Sequence, residues 1–157
     1  MQMARIEESI EVNVPVSTAY NQWTQFEEFP RFMEGVEDVK QTDDTHLRWV
    51  VSNQGRRYEF DTEISEQRPD ERVAWKTTDG KSHAGVVTFH RLDDNSCKIM
   101  VQMDWEPEGM LETLGSALGS DDRRVGADLE RFKEMIEGRG TETGAWRDKV
   151  ERGNVVG

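Results

Sequence analysis

The sequence predicts an α+β fold: an antiparallel sheet with one dry and one wet face, two short helices after its first strand, and a long helix near the C-terminus. Three observations predict it. Residues 5–14 alternate apolar and polar, the mark of a half-buried strand. From Val36 to Pro107, alternating runs are separated by turn signals at intervals that suit a meander. Residues 108–137 then place apolar side chains at spacings of three and four, the period of an amphipathic helix.

In the first strand Ile6, Ile10, Val12 and Val14 share one parity, interrupted by Glu8. Pro15 ends it, and Ser17 is the expected N-cap of a helix over 17–25. Ala19, Trp23 and Phe26 fall on one stripe of that helix. Pro30 forbids simple continuation, so a second helical piece is expected over 27–33, and Gly35 releases the chain. The meander turns at Asp43-Asp44, Gly55, Pro69-Asp70, Asp79-Gly80 and Asp93–Ser96. Asp-Gly between alternating runs is a strong hairpin signal. The dry face collects Leu47, Trp49 and Val51, then Tyr58, Phe60, Thr62 and Ile64, then Val73, Trp75 and Thr77, then Val87 and Phe89. Cys97, Ile99, Val101, Met103 and Trp105 complete it. Arg48, Glu59, Asp61, Glu63 and Lys76 fall on the wet face, as does His90. The long helix carries Leu111, Leu114, Leu118, Val125, Leu129, Phe132 and Ile136, which must cover the dry face. The reading gives one domain over 1–138 and a flexible or loosely docked tail over 139–157, rich in glycine and without periodicity.

Composition narrows the function. The chain has 157 residues, and 34% are apolar against 33% charged. Net charge is −12, from 20 basic and 32 acidic residues. Such a field repels phosphate backbones and anionic lipid, so no nucleic-acid partner is expected. The single cysteine, Cys97, allows no internal disulfide, and "MQMARIEESIEV" has no apolar signal core. A cytoplasmic protein without a membrane span is the expectation.

Two stretches carry a resemblance: "SIEVNVPVSTAYNQWTQFEEFPRFMEGVEDV" and "DLERFKEMIEG". Strand, Val-Pro, aromatic-bearing helix, Phe-Pro and Val follow one another in the first, and the second closes the long helix. With the meander between them, the chain resembles the START and birch-pollen-allergen superfamily, and most of all its bacterial polyketide cyclase/dehydrase branch, the SRPBCC proteins. The resemblance spans about 5–138. It implies a helix-grip fold, in which a curved antiparallel sheet wraps a long C-terminal helix. It also implies an apolar cavity between the two that takes lipids, sterols, polyketides, quinones or hormones; a minority of members are enzymes.

On that expectation, the ligand site draws on Trp23 and Phe26 from the short helices. The sheet contributes Trp49, Tyr58, Phe60, Thr62, Trp75, Thr77, Phe89, Val101 and Met103, and the long helix contributes Leu111, Leu114, Gly115 and Leu118. Tyr58, Thr62, Thr77 and Ser116 would supply hydroxyls, and Gly115 and Gly119 would leave room. The rings of "NQWTQFEEFPRFM" have three open readings: packed core, mouth of a ligand cavity, or exposed patch. Glu27, Glu28 and Glu34 oppose a membrane-facing patch. The partner expected is an apolar small molecule, carried or, in the alternative, cyclised, aromatised or dehydrated. No acid–base pair faces inward by parity, and in cyclase relatives the resemblance implicates pocket Tyr and Arg residues, of which Tyr58 could supply the first. His46, His83 and His90 have no metal-ligand spacing, so neither metal nor cofactor is expected. In a third reading the tail works through Trp146, anchoring a partner or the second subunit of a homodimer.

Overall fold

The computed structural model describes residues 4–53, 55–78, 83–105 and 122–156. Alternation in the first segment yields β1 (Ala4–Val12) at one edge of the sheet. The strand stops two residues before Val14, which is still buried. Helix α1 follows (Val16–Trp23). Its N-cap position is Pro15 rather than the expected Ser17, and no side chain caps it. Proline suits the entry to a helix because its missing N–H would have no partner there. The second helical piece, expected over 27–33, is a 3₁₀ helix over Phe26–Arg31. Pro30 sits inside it, where the tighter, shorter turn tolerates the missing donor.

The meander gives β2 (Val36–Asp43), β3 (His46–Asn53), β4 (Arg56–Arg68), β5 (Arg72–Thr77), β6 (His83–Asp93) and β7 (Ser96–Trp105). The order across the sheet is β1-β7-β6-β5-β4-β3-β2, and every neighbouring pair is antiparallel. Gly55, with φ of 82°, turns β3 into β4. The turn expected at Asp79-Gly80 lies outside the described residues.

Helix α2 covers Asp122–Arg139. Val125, Leu129, Phe132 and Ile136 are buried at spacings of four, three and four. The stripe packs into one core with Ile6 and Val12 of β1, Val87 and Phe89 of β6, and Ile99 and Val101 of β7. Gly140 then takes a φ of 78° and donates to the Ile136 carbonyl at 2.8 Å, closing the helix. The part of the expected helix over 108–121 lies outside the described residues.

The segment expected to be flexible or loosely docked is laid against the domain. Gln22 Oε1 of α1 accepts from the Thr143 N–H at 2.9 Å and from Arg139 at 3.2 Å. Thr24 Oγ1 accepts from the Trp146 N–H at 3.1 Å, and Asn21 Nδ2 donates to Glu142 at 2.7 Å. Trp146 packs on the core of its own chain. Arg147 forks onto Asp70 at 2.8 and 3.0 Å and covers the Tyr20 ring, 5.5 Å from its centroid. Two short strands follow, β8 (Val150–Glu151) and β9 (Asn154–Val155), with β8 paired to Gln67 and Glu66 of β4. Since β3 begins at His46, opposite Glu63, β8 takes up the length of β4 that β3 does not reach. This strap ties α1 to the β4–β5 end of the sheet.

Candidate functional site

The rings of the opening stretch form a cluster in which each edge meets the next face. Trp23 lies 5.4 Å from Phe29, 5.7 Å from Phe32 and 5.1 Å from Phe132 of α2. Phe29 meets Phe26 at 5.4 Å and Trp49 at 5.7 Å. Trp49 stacks on Phe60, with ring planes 5° apart. Tilted and edge-on pairs of this kind are favourable beyond the area they bury. The cluster is core, and one side of it is also the wall of a cavity.

The cavity lies between the dry face of the sheet, the 3₁₀ helix and α2. Trp23, Phe26, Trp49, Phe60, Trp75, Val101 and Met103 of the expected site line it. Tyr58, Thr62, Thr77 and Phe89 do not reach it. Phe89 turns instead to Tyr20 at 5.5 Å and to Trp23 at 6.3 Å. The Thr62 hydroxyl accepts the Trp49 indole N–H at 2.8 Å, both groups buried, so it locks a ring and does not orient a ligand. Tyr58 is half-buried beside the core. Leu111, Leu114, Gly115 and Leu118 lie outside the described residues, with Ser116 and Gly119. Met33 of the opening stretch also lines the cavity. So do Leu47, Ile64, Val73 and Val87, which parity had turned inward without marking them as site residues.

The lining residue that sequence reasoning missed is Asp128. It stands one position before Leu129 on α2, its side chain 13% exposed, and is the one charged group in the cavity wall among the described residues. Its Oδ1 accepts from the Glu34 N–H at 3.3 Å and is paired with Arg131. Arg131 also donates through Nε to the Phe32 carbonyl at 2.9 Å. The carboxylate thus ties α2 to the end of the 3₁₀ helix beside the cavity. Helical spacing alone gave no signal, because Asp128 borders the apolar stripe instead of interrupting it.

The cavity has a volume of about 70 Å³. Pockets for drug-sized ligands run to roughly 300–1,000 Å³. A ligand of that size therefore requires the wall to move. Met33 and Met103 are thioethers with several rotatable bonds, and Trp75 is only half-buried.

Cys97, His46 and His90 lie outside the cavity wall. Burial pushes the Cys97 thiol up to about 11, which suppresses the thiolate. His46 Nδ1 lies 2.9 Å from Asp43 on the exposed side of the β2–β3 turn, and His90 is exposed. Among the described residues no group of three or more His, Cys, Asp or Glu is placed to hold a metal ion. Nor is any described helix long and apolar enough to cross a membrane.

Residues 12–134 match the family described as polyketide cyclase/dehydrase and lipid transport. A 17.2 kDa protein of Streptomyces lincolnensis, from the melC2-rnhH intergenic region, is 59% identical over 149 residues, 94% of this chain and 99% of that one. Among solved structures, the Zhui aromatase/cyclase of a Streptomyces species superposes with a TM-score of 0.69 at 15% identity, covering 92% of this chain and all of that one. A START superfamily protein of Mycobacterium smegmatis gives 0.65 at 17%, covering 88% and 97%. A Deinococcus radiodurans protein gives 0.68 at 20%, covering 85% and 98%. At these identities the structural likeness shows the helix-grip fold.

Proposed function

The chain belongs to the polyketide cyclase/dehydrase and lipid transport family, and on that premise we propose that it binds an apolar or aromatic small molecule between the sheet and the C-terminal helix. One observation carries the reading: a cavity walled by aromatic and aliphatic side chains, with a single charged residue at its rim among those described. Such a wall gives affinity by removing apolar surface from water, at about 25 cal/mol per Å². Its volume is small, so the compound enters by displacing the methionines, and a flat ring system suits a slot faced with indole and phenyl groups. The test is native mass spectrometry of freshly purified protein, with its organic extract analysed alongside and naphthalene titrated into the stripped protein. A non-covalent adduct that extracts into solvent, or saturable naphthalene binding, supports the reading. A clean protein mass with no naphthalene binding overturns it.

Asp128 favours a second reading, a cyclase or dehydrase working on the same bound compound. It is the one lining group described that could take or give a proton, and the cavity would supply the rest by holding the chain folded. Asp128→Asn separates the two readings. If the extracted compound is converted by the parent protein and not by this variant, while both bind it within about threefold, the protein is an enzyme. If neither converts it, the protein is a carrier.

A further inference from the structure

We propose that Gly85 sets the size of the compound the cavity accepts, by seating the indole of Trp75 flat against the sheet; the inference rests on the binding reading above. Trp75 on β5 stands across from Gly85 on β6, and Gly85 stands across from Met103 on β7. Trp75 and Met103 both line the cavity, so the glycine is a gap in the dry face between two lining side chains. Glycine inside a strand weakens it and marks a place where another group comes close. Here that group is the indole. A Cβ on Gly85 would stand 2.7 Å from Cη2 and 2.9 Å from Cε2 of Trp75, and closer still to Cζ2.

These atoms belong to one rigid fused ring, so no flexible chain end can yield. The whole indole must rotate to another well. The backbone of the sheet is beneath it and Ile64 is its neighbour on β4, so the free direction is away from the sheet, into the cavity. A cavity of about 70 Å³ leaves no space for a raised indole and a ligand together. Trp49, by contrast, is stacked on Phe60 and tied to Thr62, which makes it a fixed wall. Of the two tryptophans that the sheet gives the cavity, one is thus fixed and the other has its height above the sheet decided by the absence of a single methyl group.

The experiment compares two neutral probes, naphthalene and pyrene, on the full chain and on Gly85→Ala, Trp75→Leu and the double variant, by quenching of tryptophan emission. The readout is the ratio of the two Kd values, which loss of fold or general loosening would not move. Gly85→Ala is expected to weaken pyrene at least tenfold more than naphthalene. Trp75→Leu is expected to favour pyrene by a similar factor, and the double variant to follow Trp75→Leu. Should Gly85→Ala fail to fold, Trp75→Leu still decides, because it removes atoms and adds none. An unchanged ratio in Trp75→Leu, or in a folded Gly85→Ala, overturns the proposal and leaves cavity binding standing. No binding of either probe by the parent protein overturns the binding reading and this proposal together.

Discussion

Tyr20 shows how a single buried polar group shapes the pH response. Its side chain is fully buried, and neither its hydroxyl nor Gln67 Oε1 completes a hydrogen bond of good geometry. Desolvation by burial pushes the phenol up to about 12 from its usual 10, and Gln67 and the nearby Arg147 guanidinium offset it only in part. Between those values the folded chain keeps a proton that the unfolded chain has released, so stability falls as pH rises. The stabilisation is complete below pH 10 and is lost toward pH 12, at about 1 kcal/mol per pH unit. Tyr20→Phe should change the urea midpoint little at pH 8, the equivalent of about 1 kcal/mol or less, and should flatten the decline between pH 9.5 and 11.5, the buried Cys97 thiol leaving a residual slope. A decline as steep as the parent's would assign the alkaline loss elsewhere. Residues of this kind differ in how far the sequence reveals them. Trp49, Phe60 and Met103 were legible from strand parity. Gly85 carried a readable sign, a glycine inside an alternating run, but only cross-strand register shows which ring rests on it. Asp128 was not legible, since a polar residue beside an apolar helical stripe is the common case.

The strap over 140–156 belongs to the scale of elements, and it is what the sequence concealed most. Its glycines and lack of period read as a loose end, because its order comes from partners distant in the chain and not from local propensity. Gln22, Asn21 and Thr24 look like the polar face of a helix until the strap arrives to bond them. Asp70 adopts a φ of 63°, uncommon outside glycine, in the turn whose carboxylate receives Arg147. Ending the chain at Arg139 should cost several kcal/mol in urea unfolding, because it bares Gln22, Gln67 and the β4 edge and removes the buried Val150. Arg147→Ala should cost only about 1 kcal/mol, since the Asp70 pair is partly exposed. Equal effects of the two changes would mean that the strap contributes through that one ion pair. The meander strands and the apolar stripe of α2 were legible because alternation and helical spacing are local signals. The second helical piece was legible, but its 3₁₀ form was not, because Pro30 forbids simple continuation of an α-helix without saying what replaces it.

At the scale of the molecule, 32 acidic residues against 20 basic ones leave a net repulsion that many local pairs only dilute. Arg48 bridges Asp61 and Glu59, and Glu66 holds Arg68 and Arg72, all across the wet face. Salt weakens such pairs, but it also screens the like-charge excess, whose reach is about 30 Å at 0.01 M and about 10 Å at 0.1 M. The excess dominates, so raising NaCl from 10 to 500 mM should raise the urea midpoint; a fall would show that the pairs outweigh the repulsion. The order of the sheet has a further consequence, in time. β1 is paired with β7, from Val12 with Cys97 to Ala4 with Trp105. During synthesis the first strand therefore waits for the seventh, on the order of 5–20 s at roughly 5–20 residues per second. Through that interval Ile6 and Val12 have no sheet to join and are open to chaperones, and the nascent domain cannot close until most of its length has left the ribosome.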